Sequence, residues 1–91
     1  MSIKFKIPKR LQEKTGGAVL IEVQGGNVQA CIADLIRRYP GLEGMILDGE
    51  DRILLRWMVY INNQSAVASN ELSYHVKDGD IISLLPMVAG G

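Results

Sequence analysis

One cysteine, Cys31, and one histidine, His75, limit the chemistry this chain can carry by itself. A single cysteine excludes an internal disulfide. Structural zinc sites draw four ligands mostly from cysteine and histidine, and one of each cannot supply them. A four-cysteine iron–sulfur site is excluded on the same count. No glycine-rich dinucleotide fingerprint, phosphate loop or nucleophile elbow occurs. Neither sign of charge is in excess: ten basic and ten acidic residues give a formal net charge of zero. The basic bias of many nucleic-acid binders is therefore missing. No apolar run approaches the length needed to span a bilayer. Met1-Ser2-Ile3-Lys4 does not read as the charged-then-apolar opening of a signal peptide. The expectation is a cytoplasmic protein with no membrane or nucleic-acid partner, no metal, no bound cofactor and no catalytic side chain of its own.

What is present suffices for one small domain with a real core: 91 residues, 47% of them apolar. Ile3, Phe5 and Ile7 alternate with Lys4 and Lys6, the period of a strand with one apolar face. Pro8 ends it, Lys9 to Thr15 reads as a long loop, and Gly16-Gly17 marks a turn. Ala18 to Val23 follows as a second strand, with Val19, Ile21 and Val23 expected to face inward in an antiparallel hairpin. Asn27 is a good helix N-cap. Val28, Cys31, Ile32, Leu35, Ile36 and Tyr39 then recur at i, i+3, i+4, i+7, i+8 and i+11, one stripe of an α-helix. Arg37 and Arg38 suit the negative end of its dipole, and Pro40-Gly41 stops it.

Leu42 to Arg52 reads as a loop with apolar anchors. Trp57 to Asn62 is a third strand, Asn62-Asn63 a hairpin turn, and Ser65 to Ala68 a short fourth strand. After the turn Lys77-Asp78-Gly79-Asp80 comes the strand Ile81 to Leu85, apolar at nearly every position, which predicts burial on both faces at the sheet centre. Pro86 should end the pairing. A hairpin, one crossing helix and a central last strand give an α+β chain: a β-grasp, ubiquitin-like fold with a mixed four- to five-stranded sheet. First and last strands side by side would run parallel, with the C-terminus leaving at the sheet edge. This divides the chain into a domain, 1–86, and a flexible Gly-Gly tail, 87–91.

Lys77-Asp78-Gly79-Asp80-Ile81-Ile82-Ser83-Leu84-Leu85-Pro86-Met87-Val88-Ala89-Gly90-Gly91 resembles the C-terminus of the MoaD/ThiS family of ubiquitin-like sulfur carriers. In that family an Asp-Gly-Asp turn, an apolar strand, a proline and a terminal Gly-Gly recur together. Ile7-Pro8, Leu11, Thr15-Gly16-Gly17, Tyr39-Pro40-Gly41-Leu42 and Arg56-Trp57-Met58-Val59-Tyr60-Ile61-Asn62 look most like the CysO-like, cysteine-biosynthesis branch. Asn63-Gln64-Ser65 and Met87 depart from that branch's usual pattern.

The resemblance implies a protein co-substrate rather than an enzyme. A ubiquitin-activator-like adenylating enzyme, using ATP, would join the Gly91 carboxylate to AMP, and a sulfur donor would convert it to a thiocarboxylate. Gly90, Ala89, Val88, Met87 and Pro86 would form the tail that reaches the partner's active site. The acceptor would be a cysteine-synthase-like enzyme, making cysteine or a related sulfur amino acid. The runner-up is a molybdopterin-synthase large subunit, with this chain as the small subunit of the synthase. Two other readings share the fold: a ubiquitin-like modifier joined through Gly91 to other proteins, and a non-carrier β-grasp interaction module.

Three other features have plainer readings. Cys31 lies on the apolar stripe, where free cysteines usually pack and do not react. His75 reads as a surface residue, and Asp48-Gly49-Glu50-Asp51 as a solvated turn without the ligand spacing of a calcium loop. Trp57 should face away from Met58 and Tyr60, and the alternation leaves open which side the helix covers.

Overall fold

A computed structural model describes residues 2–62, 65–67 and 72–86. The alternation in the first strand is realised directly: in β1 (Ile3–Lys6), Ile3 and Phe5 are buried and Lys4 and Lys6 exposed. β1 pairs antiparallel with β2 (Leu20–Val23), Ile3 opposite Val23 and Lys6 opposite Leu20. The helix α1 (Val28–Arg38) then crosses the sheet. β3 (Trp57–Ile61), β4 (Ser65–Val67) and β5 (Ile81–Pro86) complete it. Among the described residues five strands form one sheet in the order β2-β1-β5-β3-β4. β1 and β5 are parallel and the other neighbours antiparallel. This is the β-grasp arrangement, with five strands.

The helix obeys its signals. The Asn27 side chain accepts a hydrogen bond from the Ala30 amide at 2.8 Å, satisfying one of the free donors of the first turn. Val28, Cys31, Ile32 and Leu35 are buried beneath it. The helix ends at Arg38, one residue earlier than the stripe suggested. Tyr39 precedes Pro40 and is pushed out of helical geometry, to φ −129° and ψ 77°. Gly25 permits the tight entry: a β-carbon there would stand 2.7 Å from the Cys31 nitrogen and 2.8 Å from the Ala30 β-carbon.

The core lies between α1 and one face of the sheet, where Phe5, Ile82, Leu84, Val59 and Trp57 meet the helical stripe. Burial of each such side chain contributes roughly 1.5–3 kcal/mol. Leu42 and Ile46, after a 3-10 turn at Pro40–Leu42, and Ile53 close the end of this core. The helix therefore covers the Trp57 face, and Met58 and Tyr60 lie on the other.

Four expectations need correction. Lys9–Thr15 is not a loop but a 3-10 helix, with Leu11 and Thr15 buried one turn apart. Val19 does not face the core. The turn at Gly16-Gly17 leaves it at the mouth of the hairpin, beyond the last strand pair Lys6–Leu20, and 47% exposed. The last strand is central but not buried on both faces. Ile82 and Leu84 point into the core, whereas Ile81 and Leu85 are 37% and 40% exposed. The helix covers only one face of a two-layer fold, so the outward apolar residues form surface. Ser83 is buried because it is small and flanked in register by Lys6 and Tyr60. Finally, because β5 is central, the chain leaves from the end of the sheet between β1 and β3, not from its edge.

The turn before β5 joins the two ends of the described chain. Gly79, at φ 91°, allows the reversal and donates its N–H to the Ser2 carbonyl at 2.9 Å. The Ser2 amide donates to the Asp78 carboxylate, and the Lys4 amide to the Asp80 carbonyl at 3.1 Å. The buried Asp80 carboxylate accepts from the Lys77 amide at 2.9 Å and the Asn62 side-chain amide at 3.0 Å. Asn62 tolerates its left-handed φ of 55° and accepts from the Ile81 amide at 2.8 Å.

These bonds, the Lys77 amide first and Asn62 second, hold the Asp80 carboxyl below the ordinary carboxylate range. A depressed native pKa gives stability that is present above the unfolded value, 3.8, and lost as pH falls through the native one. Asp80→Asn should therefore cost about 1–2 kcal/mol at pH 7. Its stability should also fall less than that of the native chain as pH drops below about 4. Urea unfolding at each pH checks both; parallel losses would contradict this role for Asp80.

Candidate functional site: the groove beside Pro86

Pro86 is the last described residue, opposite Trp57 in the β3–β5 ladder. Lacking an N–H, it cannot itself donate to a ladder. Gly91, Gly90, Ala89, Val88 and Met87 lie outside the described residues, as do Asn63, Gln64 and Ala68.

Pro86 forms part of a groove of about 700 Å³ between the end of β5, the end of β1 and the 3-10 helix. Ile7, Pro8, Val19, Trp57, Leu84 and Leu85 supply apolar surface; Lys6, Lys9, Arg10 and Gln12 supply the polar part. The 3-10 helix is well anchored. The Gln12 side-chain amide donates to the Ile7 carbonyl at 3.1 Å. The buried Thr15 hydroxyl lies 3.0 Å from the carbonyls of both Gln12 and Ala18, and Leu11 is buried. The Trp57 indole is fixed by donation of its N–H to the Met45 carbonyl at 2.7 Å. Sequence reasoning missed this wall. Its signal was Leu11 and Thr15 at i and i+4 between a proline and a Gly-Gly stop.

The groove rim is cationic. Among the described residues no acidic one lines it, and the ion pairs lie elsewhere: Asp34 with Arg37 and Arg38, Asp48 and Glu50 with Arg52. Burial would raise the Asp34 carboxyl, but the Gln24 amide and the two arginines hold it below its ordinary value. Arg38 also donates to the Glu22 carbonyl, tying α1 to β2. Asp48 is held low by the amides of Arg52 and Glu50, and Glu50 pairs with Arg52.

Cys31 is fully buried, with its sulfur 3.6 Å from the Gly25 carbonyl. Burial first, and the nearby Asp34 charge second, push its thiol up to about 11. Thiolate, the reactive form, is therefore scarce at neutral pH. His75 is exposed; only its backbone is engaged, in a bridge with Asn27.

The ThiS family profile matches residues 5–91. The chain belongs to the ThiS family. Its sequence is 32% identical to the sulfur carrier protein CysO of Mycobacterium tuberculosis, over the whole of both chains. The fold superimposes on CysO in the Amycolatopsis orientalis BexX/CysO complex with a TM-score of 0.84, at 36% identity, covering 98% of this chain and 99% of that one. The small archaeal modifier protein SAMP1 of Methanosarcina acetivorans matches with a TM-score of 0.81 and 27% identity, covering 99% and 96%. The likeness to the MoaD/ThiS carriers and the ubiquitin-like fold read from the sequence agree with these matches.

The buried position of Cys31 makes a prediction for this ThiS-family chain. Cys31→Ala should fold and lose about 1 kcal/mol, the order of one buried methylene-sized group. The native thiol should react with a maleimide far more slowly than the same thiol in denaturant. Equal rates in both conditions would show that the thiol is accessible and contradict the packing role.

Proposed function

We propose that this chain is a sulfur carrier whose reacting group is the Gly91 carboxylate. The observation that carries the reading is the family match running through Gly91, together with full-length identity to a protein named as a sulfur carrier. The chemistry fits the residue types. A terminal carboxyl has a pKa of about 3.3–3.7, so at neutral pH it is an ionised, poor electrophile. An adenylating enzyme transfers AMP from ATP to the carboxylate and releases pyrophosphate. A sulfide-equivalent donor then attacks the carbonyl, AMP departs with the C–O electron pair, and a thiocarboxylate remains. The carrier needs no general base of its own, and no bound cofactor; it is a co-substrate, not an enzyme.

Gly90 and Gly91 carry no β-carbon and suit a narrow channel. From Met87 onward an extended tail would reach roughly 16 Å, at ~3.3 Å per residue. Val88 would serve as an apolar anchor within it. The CysO of Amycolatopsis orientalis is found with a second protein, BexX, which supports a partner-dependent role. The CysO likeness favours a cysteine-synthase-like acceptor and cysteine or a related sulfur amino acid as product; a molybdopterin-synthase large subunit comes next. A cytoplasmic location goes with this reading. A second reading, a ubiquitin-like modifier joined through Gly91 to lysines, is favoured by the likeness to SAMP1.

Deleting Gly91 should leave folding unchanged and abolish loading, because the reacting carbonyl would move by ~3.3 Å. Adding one residue after Gly91 should do the same. Intact mass reads the result after incubation with the adenylating enzyme, ATP and a sulfur donor. A gain of about 16 Da, sulfur for oxygen, marks the carrier; larger covalent species mark the modifier. If truncated and extended chains load as fast as the native one, the carrier reading fails.

A further inference from the structure

We propose that the groove beside Pro86 docks a segment of a partner protein that presents an apolar side chain flanked by carboxylates. The inference deepens the carrier reading, on which it rests for the presence of a partner at this end of the fold. It stands on charge and position. Val19, Leu85 and Pro86 expose apolar surface in a groove large enough for one or two side chains. Lys6, Lys9 and Arg10 stand around it, all exposed, and among the described residues no acidic one lines it. None of the three takes part in an ion pair among the described residues.

Among the described residues the ion pairs join Arg37 and Arg38 to Asp34, and Arg52 to Asp48 and Glu50, away from the groove. Three cations without a described ion pair, set beside apolar surface, therefore select for an anionic, partly apolar occupant. They speed its encounter and orient it, while the apolar contact holds it. Pro86 belongs to the same wall, so an occupant would sit beside the last described residue. A second copy of this chain fits poorly, because its own matching surface is the same cationic rim.

The groove also has the stiffness that docking requires. Val19 is held by its carbonyl, which accepts from the Ile7 amide at 2.7 Å. Pro8 begins the 3-10 helix, and Trp57 and Leu84 are buried in the core. A preformed site loses little entropy when it is filled.

The test uses the whole isotopically labelled chain and three capped synthetic pentapeptides, each with a central residue flanked by two charged residues on either side. The first is leucine among glutamates, the second leucine among lysines, the third serine among glutamates. Amide shifts are followed by NMR, so no sulfur step is involved and failure here leaves the loading assay untouched. The first peptide should shift Val19, Leu85, Lys9 and Arg10. It should bind at least about tenfold more tightly than either of the others at low salt, with the preference over the lysine peptide shrinking at about 1 M salt, where the Debye length is ~3 Å. The double variant Lys9→Glu, Arg10→Glu, both exposed sites, should reverse the order of the first two peptides. Val19→Ser, also at an exposed site, should weaken the first peptide alone. Equal affinity for the two leucine peptides would overturn the proposal. So would shifts confined to Tyr60 and Ile81 on the open sheet face, or shifts that track protein concentration without peptide.

Discussion

The parallel pairing of β1 with β5 is the constraint on which the rest depends. Lys4, Phe5 and Lys6 align with Ile81, Ile82 and Ser83. Residues from opposite ends of the chain thus share the middle of the sheet. Closing so long a segment is entropically costly and slow, because the contact gains nothing until the ends meet. The Asp78-Gly79-Asp80 turn offsets part of that cost with hydrogen bonds from Ser2, Lys4 and Gly79, made where β1 and β5 begin. Asn62 adds the third strand to the same knot, through Asp80 and the Ile81 amide. A parallel pair cannot be joined by a tight turn, so the chain between must cross over, and α1 lies in that crossing.

That central position has a mechanical consequence. β5 is flanked by β1 on one side and β3 on the other, so Pro86 is delivered from the most constrained strand of the sheet. The other wall of the groove comes from the 3-10 helix, held by Leu11, Gln12 and Thr15. Away from the groove, Asp34 binds α1 to the end of β2, and Asp48 closes its own turn.

The helix, both hairpins and the order of strands were legible because each rests on local signals. Asn27, the 3.6-residue stripe and Pro40 bound α1 to within one residue at Tyr39. The alternation of Ile3 and Phe5 gave their inward face, while that of Trp57, Val59 and Ile61 separated them from Met58 and Tyr60 without saying which set the helix covers. Where the reading failed, the deciding fact was non-local. Ile81 and Leu85 are as apolar as Ile82 and Leu84, and only the number of layers tells which pair stays outside. Val19 shares the parity of Ile21 and Val23, but the pairing stops at Leu20. Lys9–Thr15 has too short a period to stand out among charged residues. The groove is made from the ends of three elements, and no window along the chain contains it.

Within the described residues the core runs from Ile3 to Leu84, and its titratable and nucleophilic groups are occupied in holding it. Asp80 closes the central turn, and Cys31 is sealed against Gly25 with its pKa raised. A reactive group placed among them would have to be desolvated, paired and kept in register with the packing, and each of those demands opposes exposure to an enzyme. In the proposed carrier, chemistry on the Gly91 carboxylate would separate the two requirements. The fold could then be optimised for rigidity and the reacting group for access. In the docking proposal, recognition would fall to the end of the sheet at Pro86, with its apolar walls and its lysine and arginine rim.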